Sequence, residues 1–307
     1  GRGVVASDHP LGLTLAEAAK LWEQCDLALA VGTRMEGPLM RWQGMQYVPR
    51  AATPPLVRID ADPMEHARIP PDVAITADAA AGLAELLPAL DRAGVEHAVW
   101  GDAVADAKAA VMGEFREKLQ PQMAYLDQIR AVLPRDGVFV EELCQPGYVS
   151  YSGFPVYEPR SYISSGYQGT LGFGYMTALG AKAAVGDRPV VSIAGDGGFM
   201  FGVQELATAK QYGLAVVAVV FDNGAFGNVR RDQIRRFQGR ELGSYLQNPD
   251  FLKLAESFGI MGLRADSPAA LGPALETALG AGEPVLIHCP VEFGTEADPW
   301  PSIIAGR

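Results

Sequence analysis

The chain has 307 residues, 49% of them hydrophobic and 20% charged, with a formal net charge of −11, a length that suggests about two domains, each with a sizeable core. That acidity argues against nucleic acid and polyanionic surfaces, which are bound through clustered Lys and Arg. No run reaches the roughly 18 apolar residues of a membrane span, and no signal peptide is visible. Three scattered cysteines, Cys25, Cys144 and Cys289, suggest a reducing compartment without a disulfide framework, with cytoplasm as the default.

In chain order, the first fourteen residues read as a loop leading into a helix over Leu15 to Gln24. Strands are expected at Leu27 to Val31, followed by Gly32, Thr33 and Arg34, and at Leu56 to Asp60, leading to Asp62 and Pro63. Arg34 could face an anion or form a surface ion pair. The stretch Asp102 to Leu119 is rich in helix formers and reads as a linker helix. A helix over Pro121 to Leu133 and a strand over Gly137 to Glu141 follow. Glu141 and Glu142 then stand at a strand end facing the presumed cleft, as an acid/base pair or as loop caps. No internal repeat is evident.

Residues 190–229, VVSIAGDGGFMFGVQELATAKQYGLAVVAVVFDNGAFGNV, organise the rest. An apolar run (Val190, Val191, Ile193) stops at Gly195, Asp196, Gly197 and Gly198, as a buried parallel strand ends in a loop that approaches a ligand. Gly202 opens a helical segment that Gly213 closes, and a second strand over Ala215 to Phe221 ends at Asp222, Asn223 and Gly224. The right-handed crossover makes the two strands parallel, so Asp196 and Asn223 face one volume at the ligand-binding edge of the sheet. One carboxylate and one amide oxygen are hard donors, suited to Mg²⁺ at about 2.0–2.1 Å. The loop N–H groups and a helix start can hold a phosphate. Taken singly, an Asp after a strand also serves as a helix N-cap and Asn-Gly as a turn.

GDG, a spacer, and an Asn followed by GxxGxV resemble the diphosphate-binding signature of thiamine diphosphate (ThDP) enzymes. The likeness is to the acetolactate synthase / pyruvate oxidase / benzoylformate decarboxylase superfamily and extends over nearly all of the chain. It implies an α/β fold of two doubly wound parallel-sheet (Rossmann-like) domains, the second a ThDP diphosphate-binding fold. Residues 1–118 would be the latter part of the central domain with its linker helix. Residues 119–307 would be the ThDP diphosphate/Mg²⁺ domain with a C-terminal tail. By resemblance, Asp196 and Asn223 bind Mg²⁺ through side chains and Ala225 through its carbonyl, with Asp222 standing where the family's first Asn is usual. Gly195, Gly197, Gly198, Phe226 and Gly227 complete the diphosphate motif.

The likeness implies further roles. Gln145 falls in a loop that touches the diphosphate, where Pro146 removes one backbone donor. Gly169, Thr170 and Leu171 match a family triplet whose bulky third residue wedges under the cofactor and keeps it bent; plain core packing is the other role open to Leu171. The tail, EFGTEADPWPSI, resembles a closing segment near the site entrance, with Trp300 in a lid. Some relatives hold FAD in the central domain, but no GxGxxG follows a strand here, so FAD is disfavoured. Of His9, His66, His97 and His288 only the last lies in the second domain, which gives a Ser-His-Asp mechanism little support. The four arginines Arg230, Arg231, Arg235 and Arg236 read as a solvated helix face, and Glu205 as a solvated carboxylate.

The implied activity is that of a ThDP- and Mg²⁺-dependent lyase or carboligase on a small 2-keto acid. A decarboxylase and a non-catalytic ThDP-binding module are the alternatives. The family's catalytic Glu, which faces the cofactor pyrimidine, lies in a domain absent from this sequence. A pyrimidine-domain chain or a missing N-terminal segment is therefore the expected partner, in a dimer or tetramer.

Overall fold

The computed structural model describes residues 1–35, 40–41, 46–47, 54–94, 100–166, 168–298 and 300–303, which form two compact units. The smaller unit holds residues 13–111 with 300–303, the larger residues 1–12 with 112–298. This division differs from the expected boundary at 118/119. Residues 1–12 join the larger unit because Ser7 N–H donates to the Val156 carbonyl (2.8 Å), Val156 N–H to Ser7 Oγ (2.9 Å) and Arg2 to the Ser150 carbonyl (2.9 Å). The expected linker helix forms as Gly101–Lys118, and the switch between units falls inside it, after Val111.

In the smaller unit three parallel strands, β1 (Ala28–Val31), β2 (Leu56–Asp60) and β3 (Val73–Thr76), pair in that order. Helix α1 (Leu15–Leu21) opens with a Thr14/Glu17 capping box, and a single 3₁₀ turn, Trp22–Gln24, completes the expected span. Asp62 caps α2 (Pro63–Arg68), with Pro63 in the first turn, where a missing N–H costs no bond. Arg58, fully buried, reaches the Thr33 carbonyl (2.7 Å) and Glu65 Oε2 (2.9 Å). Arg34 stands 3.9 Å from the same carboxylate, so it forms the ion pair rather than an anion site.

The larger unit is built on a six-stranded sheet: β4 (Val138–Val140), β5 (Tyr162–Ile163), β6 (Val190–Gly195), β7 (Val216–Asp222), β8 (Met261–Arg264) and β9 (Val285–Pro290). The order is β8-β9-β7-β6-β4-β5, and every pair is parallel. β6, β7 and β9 are almost continuous apolar runs because helices cover both faces. Val190, Val216, Ala218 and Val220 pack on Tyr175, Ala178, Phe199 and Phe251 of one face. On the other face α3 (Gln122–Val132) and α4 (Pro268–Gly280) pack together, α4 also against β7 and β9.

After Gly195 the chain does not loop. It enters a short helix, α5 (Asp196–Met200), and the next helix, α6 (Glu205–Tyr212), starts at Glu205 rather than Gly202, closed by Gly213 at φ 61°. Glycines argue locally against a helix, but the tertiary setting demands them. Glu142 Oε1 and Oε2 accept from the N–H groups of Gly172 (2.9 Å) and Gly174 (2.8 Å), and a Cβ on Gly198 would stand 1.8 Å from that Oε1. Glu141 and Glu142 are therefore not an acid/base pair in the cleft; both are buried and tie loops to the sheet. Glu141 Oε1 accepts from Tyr151 Oη (3.1 Å) and Ser165 N–H (3.2 Å), while its buried Oε2 has no partner. Burial, only partly offset by those two bonds, pushes its carboxyl up to about 7.

Gly198→Ala forces a methyl group onto the pinned Glu142 carboxylate and is expected to destabilise by about 1–3 kcal/mol. Gly180→Ala lies on an exposed helical position with nothing within 4 Å of the added Cβ, and should stabilise by about 0.5–1 kcal/mol. Denaturant unfolding of the two variants distinguishes them. For Glu141 the folded state binds the proton more tightly than the unfolded chain, whose carboxyl titrates near 4.5. Its contribution is full below that value and is lost as pH rises through about 7. Glu141→Gln should shrink the fall in unfolding free energy between acid and mildly alkaline pH, by up to about 3 kcal/mol; an unchanged pH slope would contradict the assignment.

Candidate functional site

Gly195 of β6 lies opposite Phe221 of β7, so the residues that follow each strand emerge side by side. Asp196 is buried, and its Oδ2 accepts from Gly224 N–H (3.0 Å) and Asn248 Nδ2 (2.6 Å). The same Asn248 amide gives its other hydrogen to Asp222 Oδ1 (2.8 Å), and Asp222 Oδ2 pairs with His288 Nε2 (2.9 Å). Burial, with the neighbouring Asp222 charge, raises the Asp196 carboxyl above the usual carboxylate range. Burial also works against the Asp222 charge, but the bonds from His288, Asn248 and the Gly224 N–H outweigh it and hold that carboxyl below the usual range. Asn223 Oδ1 accepts from Ala225 N–H (3.2 Å), and its Nδ2 donates to Glu296 Oε1 (3.0 Å).

Asp196, Asn223, Ala225 and Glu296 border a cavity of about 290 Å³, whose lining also includes Gln145, Gly169, Leu171, Gly195, Gly197, Gly198, Phe226 and Gly227. Thr170 is exposed and is not part of the lining. Leu171 is 38% exposed, so it projects from the wall and is not packed into the core. Gln145 is not in a loop; it opens the helix α7 (Gln145–Gly153), with Pro146 in the first turn, where helical N–H groups lack intrahelical partners in any case. Its Oε1 is buried without a hydrogen-bond partner, an unmet polar atom at the cavity wall. Apolar walls come from Tyr125, Tyr148 and Phe221.

Sequence reasoning missed Asn248, Glu292, Thr295 and Glu296. The last three also line the cavity and belong to the tail. The arginines read as a solvated face anchor that tail. Arg231 is buried and donates to the Ala297 carbonyl, Arg235 pairs with Asp298 (2.6 Å), and Arg230 lies over the Phe293 ring at 4.3 Å. Glu205 is only partly exposed and accepts from Thr208 Oγ1 (2.6 Å). Trp300, expected in a lid, opens a short helix, Trp300–Ile303, that groups with residues 13–111, and Pro299 lies outside the described residues.

The donor set is oxygen-rich: one carboxylate, one amide and the backbone around Ala225. Among the described residues no group of three or more His, Cys, Asp or Glu side chains could hold a metal, so a zinc-type centre has no basis there. Backbone N–H groups at the start of α5 and of α8 (Gly227–Arg236) border the same cavity, where anions are favoured. Among the described residues no helix is long and apolar enough to cross a membrane.

Comparison with known proteins places these features in a family. Residues 145–289 match the thiamine pyrophosphate enzyme C-terminal TPP binding domain, and residues 1–86 the central domain of the same enzymes. The chain is 32% identical over 313 residues to a probable acetolactate synthase large subunit of Methanocaldococcus jannaschii, covering 95% of this chain and 52% of the relative. It is 32% identical over 316 residues to the acetolactate synthase isozyme 2 large subunit of Escherichia coli, covering 100% of this chain and 56% of that one. A solved structure, the thiamine diphosphate-dependent 4-hydroxybenzoylformate decarboxylase of Rhodococcus jostii RHA1, superposes with a TM-score of 0.68 at 29% identity, over 94% of this chain and 54% of the other. The chain thus spans about half the length of the relatives it matches. It belongs to the thiamine diphosphate-dependent enzyme superfamily, with acetolactate synthase large subunits among its relatives, and carries the central-domain and C-terminal TPP-binding sequences of that family.

Proposed function

We propose that this chain supplies the Mg²⁺-diphosphate side of an acetolactate synthase-like site that acts on a small 2-keto acid. The observation that carries the reading is the meeting of Asp196 and Asn223 on one glycine-lined cavity at the carboxyl edge of the sheet. Asp196 Oδ1, Asn223 Oδ1 and the Ala225 carbonyl would hold the ion. With two diphosphate oxygens and a water they make the six hard ligands Mg²⁺ prefers. Gly197 and Gly198 let backbone approach the diphosphate, and Gln145, on the cavity wall, would reach it only through its amide N–H groups, since its unmet atom, Oε1, is an acceptor. ThDP, when bound, supplies a nucleophilic carbon for the keto group and a sink for the electron pair left by departing CO₂.

The chain's own residues bind, bend and dry the site. Leu171 projects from the wall as the wedge under the cofactor. Glu142 holds the loop that carries Leu171, through Gly172 and Gly174. Tyr125, Tyr148 and Phe221 keep water out of the cavity. The partner in this reading is a pyrimidine-binding domain outside these 307 residues, contributing the Glu that faces the cofactor ring, within a homo-oligomer. Decarboxylation without ligation is the second reading, supported by the likeness to the Rhodococcus decarboxylase. Product analysis with pyruvate separates acetolactate from acetaldehyde.

Asp196→Ala is expected to abolish ThDP binding in calorimetric titrations with Mg²⁺ present; binding that survives unchanged refutes the metal role. The 307-residue chain alone, with ThDP and Mg²⁺, should turn over no 2-keto acid and should gain turnover when a pyrimidine-binding domain is added. Clear turnover by the chain alone would contradict the need for that partner.

A further inference from the structure

Both side chains at the metal position are ambidentate. A carboxylate can offer either oxygen, and an amide can offer its oxygen or, turned over, an NH₂ group that repels a cation. The structure assigns the choice to two residues outside the ligand set: Asn248 selects the coordinating oxygen of Asp196, and Glu296 selects that of Asn223. This assignment rests on the Mg²⁺ reading above and adds two positioning residues to it.

Asp196 Oδ2 is committed to the Gly224 N–H (3.0 Å) and Asn248 Nδ2 (2.6 Å), so coordination falls to Oδ1. Asp222 places a second carboxylate beside Asp196, and a donor is needed between them. Asn248 meets that need with one amide nitrogen, 2.6 Å from Asp196 and 2.8 Å from Asp222. Without it two close carboxylates would repel and rotate apart.

Asn223 is fixed from the other side. Its Nδ2 donates to Glu296 Oε1 (3.0 Å), while Oδ1 accepts from Ala225 N–H (3.2 Å) and keeps a lone pair for the ion. Turning the amide over would set its oxygen against the Glu296 carboxylate and its N–H groups against the cation, unfavourable at both ends. Glu296 is seated for this task. A Cβ on Gly227 would stand 2.6 Å from Glu296 Oε1, so a side chain there would crowd the carboxylate. The neighbouring Ala297 carbonyl and Asp298 are held by Arg231 and Arg235. Outer partners that orient metal ligands typically matter by about 10–100-fold in metal affinity.

The test uses Mn²⁺ in place of Mg²⁺, with free Mn²⁺ read by electron paramagnetic resonance in the presence of ThDP. Asn248→Ala and Glu296→Ala should each weaken Mn²⁺ binding by about 10–100-fold. Glu296→Gln, which keeps an acceptor oxygen, should recover most of the affinity. The metal-free melting temperature of Glu296→Ala should stay at the wild-type value, so this variant decides the matter if Asn248→Ala fails to fold. Unchanged or tighter Mn²⁺ binding by Glu296→Ala, with the wild type binding normally, overturns the assignment and leaves the Mg²⁺ reading standing. A wild-type protein that binds no Mn²⁺ overturns both.

Discussion

The parallel pairing of β6 with β7 is the constraint on which the rest depends. With Gly195 opposite Phe221, the next residues of both strands leave the sheet at the same edge, and Asp196, Asp222 and Asn223 share one small space whatever the loops do. A slip of one residue would turn every side chain of a strand to the opposite face, and would send Val191 and Ile193 out of their core along with the site. The apolar burial that fixes the sheet therefore also fixes the site.

Around that edge the structure keeps negative charge close together. Among the described residues Asp196, Asp222 and Glu296 are not paired with arginine. They are linked through amides, Asn248 between the two aspartates and Asn223 to the glutamate. Amide bridges hold these carboxylates in place without themselves adding a positive charge. Arginines are used one layer out: Arg231 and Arg235 act on Ala297 and Asp298 of the tail and not on the cavity floor. Glu142 has a different task. Its two oxygens are spent on Gly172 and Gly174, which ties the Leu171 loop to the end of β4, and Gly198 packs closely against the same carboxylate.

The sheet and the motif were legible because their signals are local. Apolar runs at Val190 and Val216, a closing Gly213 and the crossover rule suffice to set Asp196 near Asn223. What stayed hidden is non-local. Asn248 is 52 residues from Asp196, and Glu296 is 73 from Asn223; nothing in Asn-Pro or in an acidic tail says which partner it will meet. Glycine propensity alone makes a loop of Asp196–Met200; the helix there packs on Glu142, whose position only the fold supplies. For Glu141 and Glu142 the sequence leaves an acid/base pair and loop caps both open, because two adjacent carboxylates at a strand end carry no mark of burial. Thr170, a member of the motif, is exposed and outside the cavity lining, which its neighbours Gly169 and Leu171 share.

The central claim is that Asp196 and Asn223 hold one divalent ion together. A crystal structure of the protein with ThDP and Mn²⁺, with the ion located by its anomalous scattering, tests it most directly. The account predicts a single peak within about 2.0–2.4 Å of Asp196 Oδ1, Asn223 Oδ1 and the Ala225 carbonyl. A peak that touches only one of these side chains, or that lies elsewhere while ThDP is bound, would contradict it.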